Sequence, residues 1–308
     1  MRKSSKIVGT SLLVGIMAAC GTPAAQQPAA PAQLESPARI ALESVPTTPT
    51  RGLAAGLSLP LQSYSANTRE QYAWQIATQG EWRNCMAKYG FKGFAPPAPS
   101  IEAMSGAADT GMGRRYGISD LESAKKRGYH LPEAPEPPRW EPAKGAETAV
   151  FTGTGPEIIS GSYAGQKVPT GGCREEANRR FPFPHTPEVV SAEGRAFSES
   201  QKDTEVVKAV EQWSACMKES GIQIKTPLDD LSALGVSLDT PKPTTREVEI
   251  AVTDVECKKK TNLISIWHKR EDSSQKAELA TQASKLEKER QNKNNITSKA
   301  SEAVNSRG

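Results

Sequence analysis

Large apolar side chains step by three or four residues at two places in the chain. One run is Trp74, Thr78, Trp82, Cys85 and Tyr89; the other is Val206, Val210, Trp213 and Met217. This is the period at which one face of an α-helix meets a core, so two amphipathic helices are predicted. They end alike. "EWRNCMAKYGF" (81–91) and "QWSACMKESGI" (212–222) share Trp-x-x-Cys-Met, followed by a glycine four residues after the methionine. Gly90 and Gly221 fit the C-cap glycines that stop helices. Beyond each, Pro-rich irregular chain leads to a second cysteine on a predicted helix. These are "GGCREEANRRF" (171–181) and "VTDVECKKKTNLISIW" (252–267), the latter with Asp254 as its expected N-cap. The pattern predicts a mainly α fold with long irregular Pro/Gly-rich segments and a weak internal duplication.

Elsewhere the pattern is interrupted. "APPAPS", "PEAPEPPRWEP" and "TGTGP" break the stretch between Met86 and Cys173. One helix is predicted inside it, where Ser119 and Glu122 form a capping box at the head of "SDLESAKKRGYHLP", ending at Gly128. Residues 271–308 are almost wholly polar. Leu279 and Leu286 lie one heptad apart, short of the three or four repeats a coiled coil requires, so an exposed charged helix or frayed tail is expected.

The start of the chain is organised differently. Arg2, Lys3 and Lys6 precede Ile7–Ala19, an apolar run of about 13 residues. A spanning helix needs roughly 20, and the length and flanks match a secretory signal peptide. Met17-Ala18-Ala19-Cys20 has the form of a bacterial lipobox, with Met in place of the usual Leu. Lipidation of Cys20 with a diacylglycerol is the expected modification, and two acyl chains anchor stably where one does not. Residues 20–62, rich in Ala, Pro, Gln and Thr, read as a flexible tether. The organisation expected is therefore a signal peptide over 1–19, the tether over 20–62, helical disulfide-stapled units over 63–195 and 196–270, and the charged segment over 271–308.

Charge and cysteine content sharpen this picture. The chain carries 39 basic and 35 acidic residues, a net charge of +4. Cleavage before Cys20 removes three of the basic ones, so the mature chain is near neutral, and both nucleic acid and anionic lipid are discounted as partners on net charge. Without Cys20, the five cysteines leave Cys85, Cys173, Cys216 and Cys257. An even number in an exported protein reads as disulfides. The alternative, a four-cysteine zinc site, ordinarily draws its ligands in close pairs, which this spacing lacks. Of three connectivities, the repeat alone favours Cys85–Cys173 with Cys216–Cys257.

Candidate chemistry is sparse. The sequence contains no nucleophile elbow, zinc-protease helix, phosphate loop or dinucleotide fingerprint. His130, His185 and His268 are far apart, and the adjacent carboxylates Glu175–Glu176 and Asp229–Asp230 face different ways and suit a solvated surface. No catalytic residue, metal ligand or cofactor is assigned. The aromatic residues from Tyr64 to Phe94 read as core, and Trp140 either pins its Pro-rich loop or is exposed for binding. The lipobox, the tether, both Trp-x-x-Cys-Met sequences, "RRYGISDLESAKKRGYHLP" (114–132), "GGCREEANR" and "DVECKKKTNLISIW" together resemble the cysteine-containing lipoproteins of actinobacteria, over roughly residues 70–270. That resemblance implies an extracytoplasmic, membrane-anchored location and carries no activity or catalytic residues with it. The expectation is a lipid-anchored envelope protein acting as a binding, adaptor or structural module, with an envelope protein or wall polymer as partner. The alternatives are an exported hydrolase of wall polymer or a small-ligand-binding lipoprotein.

Overall fold

The structure, a computed structural model, describes residues 43–133 and 139–306. Asn67 opens the first helix, α1 (Thr68–Lys88): its side chain accepts from the Glu70 N–H while the Glu70 carboxylate accepts from the Asn67 N–H, a complete capping box. The helix ends as the repeated motif predicts. Gly90 is left-handed, Gly90 N–H donates to Ala87 O, and Phe91 N–H donates to Met86 O at 3.1 Å. This is a Schellman turn, in which the residue after the glycine packs back on the methionine three positions before the cap. The second copy is the same bond for bond. Helix α7 (Thr204–Glu219) closes with Gly221 N–H to Lys218 O and Ile222 N–H to Met217 O at 3.0 Å, with Gly221 left-handed. The recurring Met, Gly and following apolar residue are thus the parts of one helix stop.

Between these helices lie α2 (Ile101–Thr110), α3 (Leu121–Arg127), α4 (Ala146–Thr152), α5 (Gly172–Arg180) and α6 (Pro187–Ser200). After α7 come α8 (Thr245–Lys260), α9 (Leu263–Thr281) and α10 (Ala283–Asn305). A small antiparallel hairpin, β1 (Ser162–Tyr163) with β2 (Gln166–Lys167), completes a fold of ten helices and two short strands among the described residues. The disulfides are Cys85–Cys173, joining α1 to α5, and Cys216–Cys257, joining α7 to α8. Each lies in its own apolar cluster. Met86, Phe94, Val150 and Phe151 surround the first; Trp213, Met217, Ile250, Val255 and Trp267 belong to the larger cluster around the second. Trp140 pins its loop, packing edge-to-face on Phe94 and Phe151.

Three local expectations are corrected. Helix α3 is capped by Asp120, whose side chain accepts from Ser123 N–H; Ser119 is instead buried and donates to Gly113 O. Helix α8 starts ten residues before Asp254, at the N-cap Thr244, whose hydroxyl accepts from Glu247 N–H, so Asp254 lies mid-helix and buried. The polar C-terminal stretch is not a fraying tail. Helix α10 lies along α1, burying Ala300 and Val304 against Ala73 and Ala77, with Ile296 also buried, while Lys293 and Thr297 reach Glu70. Small residues on α1 allow that close approach, which few large aliphatics on α10 would advertise.

The chain before α1 also packs. Within 43–62, which composition assigns to the tether, Val45, Ala54, Leu59 and Leu61 are buried, and Leu61 N–H donates to Gln275 of α9 at 2.9 Å. The segment is also tied to α2, where Thr50 N–H donates to Asp109 Oδ1 at 2.7 Å. Residues 1–42, and Cys20 with them, lie outside the described residues.

Candidate functional site

Helix α3 packs along α8, the helix that the second disulfide joins to α7. The turn that ends α3 brings Gly128, Tyr129 and His130 onto the first turns of α8. Gly128 has φ +55° and sits so close to Glu247 that a Cβ there would lie 2.4 Å from Oε1. The Glu247 side chain is buried at 1% exposure. Its Oε1 accepts from the Tyr129 backbone N–H and from His130 Nδ1, both at 2.8 Å, and its Oε2 has no partner among the described residues. The other ring nitrogen of His130 lies 2.9 Å from Thr240 O. Both nitrogens face acceptors, so the imidazolium satisfies both contacts. The hydrogen bond to Glu247 raises the His130 pKa above its ordinary value, against the opposing effect of burial.

Beneath this turn lies a buried polar cluster. Asp254 accepts from Trp213 Nε1 at 2.9 Å and from Tyr129 Oη at 3.1 Å, and it pairs with Lys258 at 3.1 Å. Lys258 also donates to Ile118 O at 2.9 Å. Burial pushes the Asp254 carboxyl up and the Lys258 amine down, while the donors around Asp254 and the charge of each partner oppose those shifts. A second cluster joins Arg115, Tyr116 and Gln275 to Glu271: Tyr116 donates to Oε2 at 2.8 Å and Gln275 Nε2 to Oε1 at 3.0 Å. Both clusters are enclosed by the core and bind helices to the loops beside them.

The open surface differs. A cleft of about 780 Å³ lies between the end of α3 and the start of α8. Lys126, Arg127, Lys242 and His130 line it beside Leu131, Pro132, Pro241, Pro243 and Val248, with Glu133 the one acid among the described lining residues. Behind it, a cavity of about 40 Å³ is walled by Arg51, Arg114 and Arg127 together with Asp109 and Asp120. Arg127 therefore borders both spaces. Its Nη2 donates to Ser123 Oγ at 2.7 Å, and its buried Nε has no partner among the described residues.

Compared with known protein families, with curated proteins and with solved structures, this chain matches none of them. The site therefore rests on its own geometry. Of the residues singled out in the sequence, His130 alone among the histidines reaches this cleft. His185 stacks edge-on against Phe183 with ring centres 4.6 Å apart, and His268 Nε2 lies 2.8 Å from Ser58 O. Among the described residues no group of three His, Cys, Asp or Glu side chains could hold a metal. No described helix is long and apolar enough to cross a membrane. Asp229 and Asp230 fold back onto their own turns, accepting from Thr226 and Ser232. Sequence reasoning missed Glu247, Lys126, Arg127 and Lys242. The Thr244-x-x-Glu247 spacing was the available signal for the start of α8, whereas nothing local links His130 to a carboxyl group 117 residues away.

Proposed function

We propose that this chain is a lipid-anchored module of the cell envelope, attached through Cys20 to the extracytoplasmic face of the membrane, whose folded part binds a partner at the cleft between α3 and α8. The observation that carries the binding reading is a contrast among charged side chains. Asp254, Lys258, Arg115 and Glu271 are consumed by contacts inside the core, whereas Lys126, Arg127 and Lys242 border an open cleft and make no ion pair among the described residues. His130 has both ring nitrogens engaged by acceptors, so in this arrangement it positions backbone and adds positive charge rather than standing free as a base. The Met17–Cys20 sequence supports the anchor, and the resemblance to cysteine-containing actinobacterial lipoproteins supports the envelope location.

Two measurements test this reading. Peptide mass mapping of the membrane-extracted protein is expected to show a diacylated Cys20 as the N-terminal residue; an unmodified Cys20 removes the anchor. A photo-cross-linker placed at the exposed Leu131 of the full chain, activated in intact cells, is expected to give a defined adduct that Lys126→Glu with Lys242→Glu abolishes. No adduct, or one indifferent to those substitutions, overturns the cleft as the binding surface.

A further inference from the structure

The cleft has a chemical signature beyond being open. The mature chain is close to neutral, yet three cations that make no ion pair among the described residues line this cleft together with His130. The guanidinium of Arg114 lies immediately behind, donating to Tyr129 O at 2.6 Å and to His130 O at 3.4 Å. Those carbonyls leave its charge uncompensated by any carboxylate in direct contact among the described residues. Burial, and after it the nearby positive charge of Arg127, pull the Arg114 pKa down, against the opposing effects of Tyr129 and Asp254. Asp109 and Asp120 face these arginines on the enclosed side, whereas on the cleft side Glu133 is the one acid among the described lining residues for Lys126, Arg127 and Lys242, so positive charge is in excess there. Phosphate suits the donor set. A guanidinium offers paired N–H donors to its oxygens and a lysine supplies a point charge, and both are recurrent phosphate ligands. Apolar surface lies beside the cations on the same segments: Leu131 is 60% exposed, and Pro241, Pro243 and Val248 line the same cleft. The ligand therefore needs an uncharged organic part as well as an anionic head.

Resting on the binding-module reading, we propose that the cleft binds a phosphate ester, with its phosphate on Lys126, Arg127 and Lys242 and its organic portion against Leu131 and the prolines. The same chemistry is offered by a soluble phosphate ester and by a lipid headgroup.

The test is calorimetric titration of the full-length protein in neutral-detergent micelles. One arm uses glycerol phosphate and the other uses short-chain phosphatidylglycerol below its micelle concentration, with glycerol and short-chain phosphatidylcholine as controls. Saturable binding in either arm is expected, at least tenfold weaker in Lys126→Ala/Arg127→Ala/Lys242→Ala. Binding of glycerol phosphate itself identifies a soluble ester as a sufficient ligand; binding of the lipid alone identifies a headgroup. Arg127 contacts Ser123, so its loss could disturb α3. Lys126→Glu/Lys242→Glu, which alters only exposed side chains, is the second variant and is expected to lose binding while keeping the parent melting temperature. Binding in neither arm above the controls, or equal binding by the lysine variant, overturns the proposal. Cross-linking at Leu131 that survives such a failure would leave the module reading standing and remove only the ligand class.

Discussion

Glu247 holds together what the sequence keeps far apart: the end of α3, the ring of His130 and the first turn of α8. Two expectations belong to this residue. Gly128→Ala forces a Cβ into a left-handed position already filled by Glu247, and stability is expected to fall by about 2 kcal/mol or more in urea unfolding. The second concerns pH. His130 has a raised pKa in the folded chain, so its pairing contributes in full below the ordinary histidine value near 6.5 and is lost as pH rises through the folded value. The charged groups around it are Glu247 on α8, Arg127 and Lys126 on α3, Glu133 just after His130, Lys242 in the loop before α8, and Arg114 behind. Melting temperature is expected to decline over that rise in the parent protein, relative to His130→Gln, and a parallel pair of curves would refute it. Deeper in the core, Lys258→Met leaves Asp254 buried without its cation and is expected to cost about 3 to 5 kcal/mol. Lys258→Met combined with Asp254→Leu is expected to cost less than the two single changes added together, measured as a double-mutant cycle.

At the level of elements, the two helices that stop alike show how much local sequence could announce. Trp-x-x-Cys-Met with its trailing glycine encoded a helix end, a core-facing cysteine and an apolar residue folded back on the methionine, and every one of these is present in both copies. The two copies differ in what surrounds the tryptophan. Trp213 Nε1 finds Asp254, whereas the buried Trp82 Nε1 has no partner among the described residues. Helix starts were less legible. Ser119 and Asp120 are both good caps one residue apart, and only the burial of Ser119 against Gly113 decides between them. Asp254 resembled a cap because the acid's true partners, Tyr129 and Trp213, come from other segments. Removing the second disulfide as Cys216→Ser/Cys257→Ser is expected to destabilise the chain by about 4 kcal/mol in the chain-entropy account, for a separation of 41 residues. Denaturant unfolding of parent and variant checks this.

Across the whole molecule, the sequence conveyed the helical class and the cysteine pairing but not the closing of the ends on one another. Polar α10 earned its place through four small or aliphatic positions among many charges: Ala300 and Val304, set against alanines of α1 that carry no strong hydrophobic signal, the buried Ile296, and Leu286, which packs with Leu61, Val189 and Ala192. The cleft was equally hidden, because its cations come from α3 and from the loop before α8. Truncation after Gln282 should therefore lower stability by roughly 5 kcal/mol, from the apolar side chains it uncovers, and a melting curve indistinguishable from the parent would refute the packing. The burial of Leu61 has a mechanical consequence. Leu61 shares a cluster with Val189, Ala192 and Leu286, and its backbone is hydrogen-bonded to Gln275. Once the contacts of Val45, Thr50 and Ala54 have given way, a pull on the chain from its amino-terminal side reaches Leu61 and is resisted by α6, α9 and α10 together. Load applied from that side would thus be shared between segments more than two hundred residues apart, instead of peeling the fold open one helix at a time.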